Sequence, residues 1–165
     1  MSNKWLLILA GVLVYIGVAK PDLSFINFPT PSCNTDTCVV DAPSDSVLLE
    51  KSRIITSIVK ESNDSTRKSD CIKLSSLYAD MAVLIELDKE DQVIADTANI
   101  KEANSIAGKM LRLNIKDKYP GLADAAKDLL SSSIGDDDIV LDEELRNRAV
   151  NAFRALSWAF YEGGK

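Results

Sequence analysis

The clearest helical pattern in the chain is SDCIKLSSLYADMAVLIELD, residues 69–88. Apolar side chains recur in it every three or four residues, which is the spacing of one face of an α-helix. The members of this face are Leu74, Leu77, Tyr78, Met81, Leu84 and Ile85. A helix with so wide an apolar face buries it against other elements. The segment therefore predicts a helical core.

Four further segments on either side repeat this periodicity, without the two-residue alternation typical of strands. The predicted helices are residues 45–61, 91–113, 120–134 and 142–161. Ser44 is the predicted N-terminal cap of the first, Pro120 the first turn of the fourth, and Gly163 with Gly164 the end of the last. Together they predict an all-α bundle of five helices over residues 44–165, in which successive helices are neighbours.

The N-terminus contains WLLILAGVLVYIGVA, residues 5–19, an uncharged run between Lys4 and Lys20. As a helix it would extend about 22 Å, which is short of a hydrocarbon core of about 30 Å. A second apolar cluster follows in residues 23–28 and could extend the span or lie at the interface. Residues 1–20 are therefore predicted to be a membrane anchor that contacts the lipid bilayer through residues 5–19.

Two alternatives remain for this leader. Gly17-Val18-Ala19 has the small-x-small spacing of a signal-peptidase site, so cleavage after Ala19 would release a secreted protein. The run could also be a buried core helix, although it has no polar stripe. Lysine placement favours a single-pass protein with its N-terminus inside and its C-terminal domain in the periplasm or another extracytoplasmic space.

Residues 21–43 form a predicted stalk, because four of the five prolines in the chain fall there. Proline at this density prevents helix formation and favours an extended spacer. Cys33 and Cys38 are separated by four small polar residues, and a local disulfide is the favoured interpretation in an oxidising compartment. Two free thiols are the alternative. A zinc site would need four ligands, and the chain has three cysteines and no histidine.

Composition excludes several classes of function. The absence of histidine removes Ser-His-Asp and Cys-His relays as well as histidine-ligated zinc or haem. The net charge of −6 argues against a protein whose main task is binding nucleic acid, because that affinity comes from neutralising phosphates. No phosphate-binding glycine loop or dinucleotide fingerprint is present. We therefore expect no cofactor and no nucleic-acid partner.

Two acidic features of the sequence are candidates for metal binding or acid catalysis. The run of residues 135–138 with residues 142–144 lacks the EF-hand glycine and is better explained as a helix end followed by an acidic first turn. Glu86, at the end of an apolar series, could serve as the acid of a wall-cleaving hydrolase, but no second carboxylate pairs with it in the sequence. The favoured interpretation assigns no catalytic and no metal-binding residue.

The last helix carries basic and aromatic residues together, a combination enriched in binding surfaces. Phe153 and Phe160 are seven residues apart and belong to the core face. Arg154, Trp158 and Tyr161 are the predicted partner surface for a protein that the sequence does not identify.

The stretches KYPGLADAAKDLL (residues 118–130) and DEELRNRAVNAFRALSWAF (residues 142–160) resemble helical segments encoded by bacteriophages and some bacteria. That resemblance covers about a quarter of the chain and implies no catalytic residue or substrate. It implies a role for a virus, as a virion component or during infection or lysis.

The sequence thus predicts a non-enzymatic, membrane-anchored helical module for structural or protein-interaction purposes, either virion-associated or envelope-associated. A membrane-tethered cell-wall hydrolase or lysis factor is the alternative from a different class, and a secreted binding protein after signal cleavage is the third.

Overall fold

The computed structural model describes residues 41–63, 66–87, 93–134 and 143–165. The predicted anchor, most of the stalk, Cys33 and Cys38, and the acidic run of residues 135–138 lie outside these ranges. Within them, all regular secondary structure is helical, which confirms the all-α prediction. The helices are α1 (Ser46–Glu61), α2 (Arg67–Leu87), α3 (Val93–Arg112), the single turn α4 (Ile115–Lys118), α5 (Leu122–Ile134) and α6 (Glu143–Gly164).

The C-terminal helix α6 is the centre of the bundle, and α1, α2 and α5 all pack against it. Its buried side includes four alanines, two glycines and two phenylalanines, so neighbouring helices can approach closely. Tyr78 of α2 stacks on Phe153 and Phe160, with ring centroids 6.3 and 5.5 Å away. The predicted apolar faces of the second and last helices therefore meet in one core.

Hydroxyl groups fix the register of the helices around α6. Ser52 donates to the carbonyl of Ala155 at 3.3 Å, and Thr56 donates to the carbonyl of Ala159 at 3.1 Å. This matching order makes α1 and α6 parallel. On the other side of α6, the Ser157 hydroxyl donates to the Ser75 carbonyl at 2.7 Å, so a buried polar group is satisfied between helices.

Sequential neighbours are not always spatial neighbours, which corrects one expectation. Helices α1 and α2 are joined by a short connection, yet each packs mainly on α6 rather than on the other. The reason is the α6 surface, whose small residues accept both helices at short distance. Helix α3 packs mainly on α2, as its position in the chain predicted.

Two predicted helix starts were wrong. Asp45, not Ser44, caps α1, because its carboxylate accepts from the amides of Val47 and Leu48 at 2.8 and 3.0 Å. Helix α5 begins at Leu122, because Gly121, after Pro120, adopts a φ of +81° in a turn.

The predicted end of the last helix is confirmed. Gly163 and Gly164 are the last two residues of α6, and both are buried. A Cβ atom on Gly163 would lie 2.9 Å from a methyl of Val59. These glycines are therefore positions of close helix packing.

Candidate interaction groove

Helix α6 is accessible to solvent along one narrow stripe over its last four turns. The residues there that are exposed or half-buried are Asn151, Arg154, Trp158, Tyr161, Glu162 and Lys165. Their spacing of three and four residues places them on a single face of the helix. All the other residues of this segment are buried.

The stripe is open because the neighbours of α6 occupy its other sides. Helix α1 covers the side of Ala155, Ala159 and Gly163, as its contacts with these residues show. Helix α2 covers the side of Phe153 and Ser157, and α5 packs on a third side. On the helical wheel of α6, the stripe lies between α1 and α2. We call this channel, with the α6 stripe as its floor, the α6 groove.

One end of the α6 groove widens into a cavity of about 460 Å³. Ala79 and Val83 of α2 line one wall, and Asn151 and Arg154 lie on the floor. The remaining wall is the segment of residues 41–45, which leads into α1. The chain that comes from the N-terminal forty residues therefore reaches the domain at this end of the groove.

An ion pair spans this end of the groove. The Arg154 guanidinium donates to the Glu86 carboxylate at 2.8 Å, and the two side chains are 52% and 55% exposed. At such exposure the pair contributes little to stability, on the order of 0–1 kcal/mol. Both groups can consequently exchange this partner for a ligand at small cost.

The other end of the groove is basic. The Lys165 amine lies 4.6 Å from the centroid of the Tyr161 ring and bonds to Glu162, which raises the pKa of this lysine. Ile72 of α2 lines the same end, since its side chain approaches Gly164. Ile72 and Val83 are 38% and 48% exposed, so apolar surface follows the α2 wall from one end to the other.

The structure brings the three predicted partner-surface residues onto one stripe. Arg154 is exposed, whereas Trp158 is half-buried and packs partly against the core. Tyr161 is half-buried under Lys165. Sequence reasoning missed the α2 wall, although a signal was available: Ile72 and Val83 are apolar residues that do not belong to the core face of their helix.

Glu86 lies in surroundings unlike those of a general acid. Such a carboxyl group is typically held in an apolar pocket, but Glu86 is more than half exposed and accepts from Arg154. Cys71 is buried in the core.

The described ranges offer neither a metal-binding cluster nor a membrane-spanning helix. They contain no cluster of three or more acidic or cysteine side chains able to hold a metal ion. None of the helices in these ranges combines the length and apolar character needed to cross a bilayer.

No family model matches the chain, and no curated protein or solved structure matches it either. The residues of the α6 groove therefore carry the functional interpretation.

Proposed function

We propose that this chain is a membrane-tethered, non-enzymatic helical module that binds another protein through the α6 groove. The observation that supports it is the stripe formed by exposed Arg154 and half-buried Trp158 and Tyr161 between two helices. Arginine and large aromatic residues dominate the energy of protein interfaces, because they combine apolar area with directional hydrogen bonds. Arg154 lines the cavity at one end of the groove, and Trp158 and Tyr161 follow it along the same face of α6.

The tether follows from the apolar run of residues 5–19 and the proline-rich stalk after it. Anchoring raises the effective concentration of the domain near other membrane components, so a modest interface suffices for binding. The bundle then faces the extracytoplasmic side, where a disulfide between Cys33 and Cys38 is compatible with the redox conditions. In a phage, such a module serves as a virion or envelope component.

The tether is tested with the full chain in a bacterial host. We expect it to stay in the membrane fraction after alkaline carbonate washing, with an intact mass that includes residues 1–20. External protease should reach the bundle in spheroplasts but not in inverted vesicles. A mature chain that starts at Lys20, or a full-length chain that is water-soluble without detergent, would contradict the anchored form.

The partner surface is tested by crosslinking in the same membranes. A photoreactive residue in place of Val83, in the groove, should yield a discrete adduct that disappears with Trp158→Ala. The matched control replaces Val47, which is similarly exposed at 50% but lies on α1 away from the groove. Adducts that are equal at both positions, or unchanged by Trp158→Ala, would remove the groove as the partner surface.

The hydrolase alternative gains no support from the surroundings of Glu86. Wall degradation by the full chain that is lost in Glu86→Gln would nevertheless establish it and replace the present proposal. The Glu50→Gln variant, at another exposed glutamate outside the groove, is the matched control.

A further inference from the structure

We infer that the α6 groove receives an amphipathic α-helix of a partner protein, with acidic residues flanking its apolar face. This inference rests on the proposed function and names the partner chemistry. It is carried by three features of the groove: its shape, its apolar lining and the charges along its rims.

Among the described residues, no helix packs over the exposed stripe of α6. Helix α6 has neighbours on three sides, namely α1, α2 and α5, and its stripe faces solvent on the fourth. Ile72 and Val83 are eleven residues apart on α2, which corresponds to about 16 Å of helix or three turns. A helix of this length laid along the stripe would complete the packing around α6, as in other helix-in-groove complexes.

The lining offers apolar anchoring points at helical intervals. Trp158 and Tyr161 lie on the floor, and Ile72, Ala79 and Val83 lie along one wall. Side chains at positions i, i+3, i+4 and i+7 of a bound helix would meet this surface. Their burial, together with that of Trp158, would supply the main part of the binding energy.

Basic side chains predominate along the rims toward the Lys165 end of the groove. On α1, Thr56 faces α6, and Lys51 faces α5, where it pairs with Asp128. Arg53 and Lys60 are exposed and lie on the side of α1 opposite Lys51, next to the groove. Lys68 shares the groove side of α2 with Ile72. Lys165 closes the end of the floor. Of the acidic groups, Glu86 pairs with Arg154 and Glu162 pairs with Lys165. Asp41 and Asp45 lie at the opposite, cavity end of the groove, where the Asp45 carboxylate caps α1.

These charges select among occupants. The leader of the chain, residues 5–19, is apolar but uncharged, so it would leave the basic rims without counter-charges. A helix with glutamate or aspartate on both flanks would place carboxylates opposite Arg53 and Lys60 on one rim and Lys68 on the other. Complementary charges favour this partner over a basic or neutral helix of equal apolar area.

The test uses the full chain in phosphatidylcholine nanodiscs, with Trp5→Phe so that Trp158 is the remaining tryptophan of the two. The probe is a tryptophan-free 18-residue peptide, roughly five turns of helix, with a leucine stripe flanked by glutamates. Its matched control has lysine in place of every glutamate, and empty nanodiscs control for lipid binding. Fluorescence of Trp158 reports occupancy of the groove.

We expect a saturable blue shift with the acidic peptide and at least about tenfold weaker binding of the basic one, the size expected from several unfavourable charge contacts. The double variant Lys60→Glu with Lys68→Glu should weaken binding of the acidic peptide by a similar factor. Lys127→Glu, at an exposed position on α5 outside the groove, is the matched control and should leave the affinity for the acidic peptide unchanged.

Three results would overturn the inference. The first is equal affinity for both peptides, and the second is an affinity for the acidic peptide that Lys60→Glu with Lys68→Glu does not change. The third is iodide quenching of Trp158 that appears only after residues 1–31 are removed. The last result would mean that the chain occupies its own groove. Failure here together with a discrete partner adduct at Val83 would leave the proposed interaction function intact and change only the chemistry of the partner.

Discussion

Helices α6 and α3 have similar lengths, 22 and 20 residues, but opposite positions in the fold. Helix α6 contacts three helices and buries twelve residues, whereas α3 packs mainly on α2. A helix that contacts one neighbour can open without disturbing the rest, because few contacts outside its own interface are lost. Stability in this bundle is therefore concentrated at α6, and the groove is built on its most rigid element.

The largest expected effect is a cavity in the core of α6. Phe153→Ala should lower the free energy of unfolding by about 3–5 kcal/mol, because Phe153 is fully buried and stacks on Tyr78. Urea denaturation followed by circular dichroism measures it. Val83→Ala, at a half-exposed position on the groove wall, is the control and should cost less than about 1 kcal/mol. Equal losses would contradict the central role of α6.

Close packing of α1 on α6 predicts a smaller effect. Gly163→Ala should cost about 1–3 kcal/mol, because its new methyl group would lie 2.9 Å from Val59. Combining it with Val59→Ala removes the methyl group at 2.9 Å but keeps the Cβ atom of residue 59 at 3.0 Å, so the contact is partly relieved and the two losses should be less than additive by up to about 1 kcal/mol. Strict additivity in the same denaturation experiment would show that the helices separate freely at this point.

The ion pair between α2 and α4 tests the periphery of the molecule. The Lys118 amine donates to the buried Asp70 carboxylate at 2.6 Å, so Lys118→Met should cost about 1–2 kcal/mol by leaving a buried acceptor with fewer donors. Hydrogen exchange should show faster opening of α4 and the adjoining end of α3. Unchanged protection of the amides of α6 is part of the expectation, and a uniform loss throughout the chain would speak against local opening.

The smallest effect concerns the contact between α2 and α3. Burial raises the pKa of Asp80; Lys109 lowers it in part, and Glu102 raises it. The folded state then binds this proton more tightly than the unfolded chain, so the stability from this group falls as pH rises from the ordinary aspartate value through the raised one.

Asp80→Asn should therefore stabilise the protein at neutral pH by less than about 1 kcal/mol, the size usual for a partly exposed charge. The advantage should shrink as the pH is lowered below the titration range of Asp80. Thermal unfolding at several pH values measures it, with Asp124→Asn on the exposed side of α5 as the matched control. An advantage that grows toward acidic pH would reverse the assigned sign.

Much of the fold was predictable because it depends on local periodicity. The apolar faces of the second and last helices are buried as predicted, from Leu74 to Ile85 and from Leu145 to Phe160. Helix ends were less predictable, since Asp45 and Ser44 are both good caps and only the backbone geometry selects between them. The glycines at the end of α6 were predictable as its end, but the close approach of Val59 to Gly163 was not, because it depends on how α1 packs.

The candidate site was predictable in part. Arg154, Trp158 and Tyr161 share a helix face, so their spacing was enough to group them. The α2 wall of the groove was not predictable from the sequence. Ile72 and Val83 belong to a helix about seventy residues earlier, and nothing in local spacing indicates which helices flank α6.

Local residue patterns were thus sufficient for the class of fold, the number of long helices and the identity of most core residues, because hydrophobic periodicity acts within each helix. The central position of α6, the separation of α1 from α2 and the groove between them arise from packing. These depend on which surfaces fit at close range, as at Ala155, Ala159 and Gly163, where small side chains of α6 lie against α1.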